Sequence, residues 1–528
     1  MADSPSAPFS LDFQPGISRD GTNFDSSRWL DCLWARWRLG RPRKMGGFSN
    51  AFAGLKGVPR RIHMFYDGTN IIAHIGTTNS IQQVIINAAT GAFVSTADRT
   101  PAGFAASIYN GFTMDAIFDT TSQAVQLLVH YTQDTRFLSN PVPTLPLIGI
   151  INAQTPLAGL VQPGNLFGGT YAAPFVSGGI VCSQPYAWAF DTAGKVSWSA
   201  PNLPNYLGVV GGTSGAGTAR ISAQKIVQGI ALRGGGVNSP AALFWTLSEL
   251  ISATFIGGVP VWAFNTVSPS ASILSSDSVV EYDGLYFWAA VGRFMVYNGT
   301  VVELPNTQNQ DWFFDNLNWQ YAARCQAFKI PQYGEIWFCA PLFGNTECSH
   351  AVIYNVRENC WYDTVLPNGG RSCGYFAQGL RYPIMCGSTA NANGLWDMWL
   401  HENGTDQVNA DNSVAPIRSY VETGWLGGPK NTPPSDDGLS IQQLEPDIIQ
   451  TGDLSTWLVY APNARANTNV TNALPIRFTP MTPQEQLVSF NETSRLFKLH
   501  IESNVIGGSY ILGRNLLHGQ TSDARRVS

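Results

Sequence analysis

The stretch from Val279 to Leu304, VVEYDGLYFWAAVGRFMVYNGTVVEL, decides how this chain is read. The dipeptides Asp283-Gly284, Gly292-Arg293 and Asn298-Gly299 cut its 26 residues into four short runs rich in Val, Tyr, Phe and Trp. Asp-Gly and Asn-Gly reach the positive φ of tight hairpin turns, and runs this short and this rich in β-branched and aromatic residues suit strands. Four antiparallel strands in succession have the density of one propeller blade or one meander. Outward in both directions the same grammar continues. IHMFYDGTNIIAHIG (62–76) turns at Asp67-Gly68, ARCQAFKIPQYGEIWFCAP (323–341) at Tyr333-Gly334, and HAVIYNVRENCWYDTV (350–365) around Arg357 to Asn359. It recurs through CGYFA, YPIMCGST and NGLWDMWLHENGT up to residue 405.

Such units repeat at roughly 40 to 60 residues without a sharp consensus, as diverged blades do. The expected fold is therefore all-β, with a β-propeller over 61–413; a pair of β-sandwiches with Greek-key connections would space its strands similarly. Residues 135–240 read differently, Pro-rich at NPVPTLPLIG and then small-residue-rich to GVVGGTSGAGTARIS and LRGGGVNSP. Long loops in compact domains serve a function or are disordered, so this region is expected to be a loop-rich insertion, a distal tip or gate. TGWLGGPKNTPPSDDG (423–438) marks a composition break. LSIQQLEPDIIQ, STWLVYAP, ALPIRFTP, SRLFKLHIES and GSYILGRN then read as a last antiparallel β domain within 414–528. Residues 1–60 read as an N-terminal arm. Within it, alternation from Cys32 to Leu39 places Leu33, Ala35, Trp37 and Leu39 on one strand face and Trp34, Arg36 and Arg38 on the other.

Composition points to an assembled, non-catalytic protein. Charged residues are 13%, against about 25% in ordinary globular chains, while Gly numbers 52 and Pro 32. Depletion of charge is what subunit interfaces show. A net charge of −5 argues against gripping nucleic acid over the whole surface, which needs clustered Lys and Arg, but lets DNA slide past. No stretch is apolar enough for a transmembrane helix, Val142 to Val161 being broken by Pro143, Pro146 and Pro156. Met1 to Pro8 lacks the basic-then-apolar order of a secretory signal, so assembly in a cytoplasm is expected. The eight cysteines form no C-x-x-C pair and no zinc spacing, and are expected to be free, buried and in strands.

Chemistry is hard to find. The glycine run 211–217 lacks the Lys of a phosphate loop, G-x-S-x-G and H-E-x-x-H are absent, and the seven His are scattered. Two carboxylates of a glycosidase could be nominated in Asp277 and Glu281 or Asp311 and Asp315, but acidic residues at strand ends and turns are ordinary. No cofactor or metal site is expected. The strongest local anomaly is basic: Arg36, Arg38, Arg41, Arg43, Lys44, Lys56, Arg60 and Arg61 fall within 36–61, with no acidic residue among them. Three readings stand: a solvated face with Arg stacked on Trp34 and Trp37, a docking surface for an acidic partner, and direct contact with DNA. On the docking reading, reversing charge at Arg41, Arg43 and Lys44 abolishes docking and leaves the fold intact.

The opening PGISRDGTNFDSSRWLDCLWARWRLGRPRKMGGF resembles the start of tail hub, or packaged-DNA stabilisation, proteins of short-tailed bacteriophages. The positions that carry the likeness are Pro15-Gly16, Trp29-Leu30-Asp31, the Arg-rich Arg36 to Arg43, and Lys44-Met45-Gly46-Gly47-Phe48. Tyr420 to Trp425 and Gly508 to Gly513 resemble the far end of that group. The resemblance implies a structural virion protein of the tail, a hexameric nozzle subunit surrounding a channel for double-stranded DNA. It implies a platform built from 1–60 and 414–528 that docks an adaptor ring, and fibres or tailspikes outside. Retaining the genome and releasing it on ejection would be its work. The competing expectation is a propeller that binds or cleaves carbohydrate, a lectin or depolymerase.

Overall fold

In a computed structural model, the described residues are 8–22, 27–100, 104, 106–108, 110–120, 123–133, 147–152, 178–204, 215–232, 240–376, 380–426, 438–462, 470–480 and 487–522. Among the described residues, seven sheets, antiparallel but for one short parallel pairing at the rim of the last, follow one another along the chain and form the blades of a β-propeller. They occupy 59–98, 110–152, 179–220, 226–268, 279–303, 326–365 and 371–401. In each the first strand is innermost, and the seven first strands together line one central cavity.

The second strands explain why these sequences make blades. Tyr186–Phe190, Pro240–Thr246, Leu285–Ala289 and Glu335–Ala340 carry Trp188, Trp245, Trp288 and Trp337, all with essentially no solvent exposure. A strand with a neighbour on each edge and a blade on each face must be apolar throughout, and the Trp fills the widening wedge between blades. Each of the first five interfaces between consecutive blades accordingly holds its own apolar cluster, from Phe112 and Ile81 between the first two to Phe294, Phe338 and Tyr354 between the fifth and sixth. The expected hairpin at Asp283-Gly284 is present with both residues at positive φ, 53° and 81°, as a two-residue turn with the twist of its strands requires.

Closure of the ring uses the other end of the chain. Phe48–Leu55 pairs antiparallel with Trp396–His401 and becomes the fourth strand of the seventh blade. Ala51 and Leu55 then pack with Ile62, Ile75 and Ile86 of the first blade and Met398 of the seventh. An outer strand taken from far away in sequence locks first and last blades together, so the ring cannot open without pulling it out. The propeller therefore includes 48–55, and the arm ends before Phe48 rather than at residue 60. At the other boundary, Gln407–Val408 and Val414–Ala415 still belong to the seventh sheet.

The reading of 135–240 as one insertion is overturned in its second part. Gly179–Ser183, Tyr186–Phe190, Lys195–Trp198 and Gly217–Arg220 form the third blade, and Ile226–Ala231 begins the fourth. Small residues here are strand residues: a Cβ on Gly179 would meet Phe190, and one on Gly217 would meet Trp198. Of the remainder, 134–146, 153–177, 205–214 and 233–239 lie outside the described residues.

The two chain ends braid into one β module. Asp31–Leu33 pairs with Ser419–Glu422, Arg41–Lys44 with Ser509–Leu512, and Pro8–Ser10 with Leu516–Ser522. Its core (Trp37, Val421, Leu458, Phe497, Leu499, Tyr510) is continuous with Trp337, Tyr362, Met385 and Trp399 of the sixth and seventh blades. The expected alternation from Cys32 to Leu39 fails at Trp34, whose φ of 50° splits the run into two strands and leaves Ala35, Arg36 and Trp37 all buried. All eight cysteines are free and buried.

Candidate functional site

The Arg-rich opening folds as a hairpin, Ala35–Arg38 against Arg41–Lys44, turned by Leu39-Gly40 at φ of 54° and 73°. The Glu358 carboxylate of the sixth blade accepts both turn N–H groups, at 2.8 and 3.0 Å, and so seats the hairpin on the propeller. Cross-strand register puts Arg36, Arg38, Arg41 and Arg43 on one face of a four-stranded sheet, in line with Ile511 and Ile449.

One end of that face is covered and the other is open. Arg36 is sealed beneath Tyr333, 3.7 Å from its ring centroid. Its guanidinium donates twice to Glu402 of the seventh blade, at 2.7 and 2.6 Å, and once to Glu335 of the sixth, at 3.1 Å, with Nε 2.7 Å from the second Glu335 oxygen. All three side chains are essentially without solvent. Glu335 also accepts from Tyr362 Oη at 2.7 Å and Trp337 Nε1 at 2.9 Å, and Glu402 from the N–H of Gly46 at 3.2 Å. Lys44 points through the sheet instead, donating to the Gly508 carbonyl at 2.8 Å, and burial pushes its pKa down to about 8.

The basic cluster is therefore not one surface. Arg36 and Lys44 are buried and present no charge to a partner; the groups that hold them lie 299 or more residues away, invisible to local spacing. Arg60 and Arg61 sit elsewhere, on the first inner strand of the propeller, paired with Glu347 and Asp277. Arg38, Arg41 and half-buried Arg43 remain on the open face; of these Arg41 meets Asp447 at 3.4 Å, both exposed. Beyond them the edge strand Ile448–Thr451 carries Ile449, 72% exposed. The stacking of Arg on Trp34 and Trp37 expected of a solvated face is absent, since both indoles are in the core.

Sequence reasoning missed a second joint. Arg19 bridges Asp31 of the module, at 2.6 Å, and Asp363 of the sixth blade, at 2.9 and 3.1 Å. Asp20 accepts the N–H groups of Asp311 and Trp312 at the start of the helix Gln310–Asn316, where a carboxylate suits the helix N-terminus. The nominated carboxylate pairs do not converge. Asp277 is held by Arg61 and Glu281 by Lys329 at 2.7 Å, while Asp311 and Asp315 are exposed on that helix.

The central cavity, about 1020 Å³, is the second candidate. Its wall carries Arg61, His63, Asp115, Glu281, Lys329 and Tyr282. Burial pushes the Asp115 carboxyl up to about 6, against the N–H groups of Cys182 and Ala116 that favour its charge. Burial beside His74 and Arg61 keeps His63 neutral, down to about 3. Among the described residues no group of three or more His, Cys, Asp or Glu is arranged to hold a metal ion, and no helix is long and apolar enough to cross a membrane.

No family model and no curated protein matches the sequence. Among solved structures, the chain is similar to a functionally unknown protein from Desulfotomaculum acetoxidans, at 10% identity over 59% of this chain and 90% of that one, TM-score 0.36. It is also similar to a luciferin-regenerating enzyme, at 7% identity over 68% and 95%, TM-score 0.32. A third is the Dos1 propeller, at 10% identity over 65% and 68%, TM-score 0.26. At these scores the likenesses carry no functional argument, and the propeller rests on its own strand order.

Proposed function

We propose that this chain is a non-enzymatic structural subunit of the tail of a short-tailed bacteriophage, one copy in a hexameric ring that forms the nozzle of the DNA channel. The observation that carries the reading is the joint. Both chain ends are spent on a module fixed to the propeller by the buried Arg36 network and the partly exposed Arg19 bridge, which suits a part that transmits force and does not need to flex. The module then offers the sheet face of Arg38, Arg41 and Arg43, with Ile449 on its edge strand, as the platform surface for an acidic neighbour such as the adaptor ring. Rim arginines set on-rate and partner choice there more than raw affinity. The location in the virion, the retention and release of the genome and the attachment of fibres or tailspikes follow from the same reading. The test is co-sedimentation with adaptor rings. The wild-type chain is expected to bind, and the triple reversal Arg38→Glu, Arg41→Glu, Arg43→Glu to remain folded and stay in the supernatant; undiminished binding of the triple variant would remove this face from the reading.

A second reading, a carbohydrate-binding or carbohydrate-cleaving propeller, is favoured by the central cavity, where Tyr66, Tyr282 and Tyr375 accompany Asp115 and Glu281. It predicts glycan binding by the isolated subunit.

A further inference from the structure

Among the described residues, only two of the eight cysteines oppose one another across a sheet. Cys373 on Arg371–Tyr375 and Cys386 on Ile384–Gly387 are direct partners in the antiparallel register of the first and second strands of the seventh blade. Direct partners in such a ladder stand about 4.5–5.5 Å apart between Cα atoms, inside the roughly 4.4–6.8 Å that a disulfide spans. Their side chains already meet, the Cys373 thiol donating a hydrogen bond to the Cys386 sulfur. Both are free and buried, 3% and 0% exposed, in the seam where Ala51 and Leu55 of the closing strand meet Ile62 of the first blade. Nearby cysteines are engaged otherwise: the Cys348 thiol donates to the Arg324 carbonyl at 3.1 Å, and Cys339 opposes Gln326 and Ala351.

The pair lies beside a cation that no carboxylate hydrogen-bonds. Arg371 is fully buried, and its guanidinium donates to the neutral His401 Nε2 at 3.1 Å and to the carbonyls of Pro367 and Gly370 at 2.7 and 3.1 Å. Among the described residues its Nη2 has no hydrogen-bond partner. Burial lowers its pKa to about 9, which leaves it charged at neutral pH, and a buried charge without a counter-ion is costly. The group whose negative charge attracts this guanidinium most is Cys386, ahead of Asp397 and Cys339. Burial and the bond to Cys386 hold the Cys373 thiol well above the usual thiol range, so Cys373 keeps its proton. A sulfur steadied by a cation, next to a second thiol, is the arrangement in which the first reacts and the second resolves. The way in for a water-sized reagent is short, because Gly374, which follows Cys373 and has no side chain, lines the central cavity.

We propose that Cys373 and Cys386 are a peroxide-sensitive dithiol that closes to a disulfide across the seventh blade. The Cys386 sulfur attacks hydrogen peroxide and takes one oxygen as the O–O bond breaks, becoming a sulfenic acid while one water leaves. The Cys373 sulfur then attacks that sulfur; the S–S bond forms, the S–O bond breaks, and a second water carries off the last proton. The two thiols give up two electrons and two protons, and one peroxide becomes two waters. The proposal stands apart from the nozzle reading, since it concerns one blade and not an assembly surface. In the experiment the folded full chain is treated with hydrogen peroxide, quenched, unfolded in N-ethylmaleimide and digested without reductant for mass spectrometry. Of the eight thiols, two are expected to be lost, in one linked peptide pair that carries Cys373 and Cys386 and is parted by dithiothreitol. In Cys373→Ser the resolving thiol is gone, and dimedone, which captures sulfenic acids, is expected to label Cys386. Retention of all eight thiols overturns the proposal, as does a link between any other pair or one that forms only in urea. Should Cys373→Ser fail to fold, the wild-type thiol count and linked peptides decide.

Discussion

Replacing Arg36 with Met tests the joint most sharply. The substitution keeps an unbranched chain of similar length under Tyr333 but removes the cation, leaving Glu335 and Glu402, 0% and 3% exposed, in place. Breaking a buried ion pair from one side costs about 3–5 kcal/mol, because the surviving charge is left uncompensated. Glu335 keeps two donors, Tyr362 and Trp337, whereas Glu402 keeps only the Gly46 N–H, so most of the strain falls on the seventh-blade side. The loss is therefore expected near the upper end, about 5 kcal/mol. Adding Glu335→Gln and Glu402→Gln removes the stranded charges and should recover at least half of it. Urea unfolding followed by Trp fluorescence reads the effect, since Trp34, Trp37 and Trp337 surround the joint. A single variant within about 1 kcal/mol of wild type, or a triple variant no better than the single, would refute the reasoning.

Other consequences can be measured alongside. His74 has no exposure and is held neutral by burial and by Arg99, down to about 4, while His401 is lowered by burial and by Arg371, whose Nε donates to its Nε2 at 3.1 Å. The unfolded chain protonates these histidines below about 6.5 and the folded chain does not, so stability must fall with pH. His74 alone removes about 2 kcal/mol between pH 6.5 and 5, and His401 acts in the same direction. His500, raised between Glu422 and Glu502, and Asp115, raised by burial to about 6, oppose this in part, and stability that is flat or rising on acidification across that window would contradict the assignment. Lys44→Glu should behave unlike reversals at Arg38, Arg41 and Arg43: it buries an anion against the Gly508 carbonyl, and a melting scan should show collapse where the outer-face variants melt as wild type. Leu55→Ala should cost about 2–5 kcal/mol by hollowing the strand that closes the ring, read as faster proteolysis between the first and seventh blades.

The propeller was legible because its signals are local. Turn dipeptides and strand periodicity lie within a few residues of one another, and Asp283-Gly284 turns as read. The blade number was not legible: the Trp of second strands at 188, 245, 288 and 337 mark only four of the seven blades, and Gly-rich 179–231 read as loop although it forms the third blade and opens the fourth. Closure by Phe48–Leu55 was not legible, since it depends on a partner almost 350 residues away. The same holds for the basic cluster. Eight cations in 26 residues look like a surface in one dimension, but Arg36 meets Glu335 and Glu402 only once the ring has formed, and Arg60 and Arg61 turn to the propeller axis.

The most direct test of the central claim is the mass and shape of the purified chain, by light scattering and negative-stain imaging, with and without adaptor rings. The account predicts six-fold rings, alone or on the adaptor. A stable monomer or trimer that ignores the adaptor and binds or cleaves glycans would contradict it.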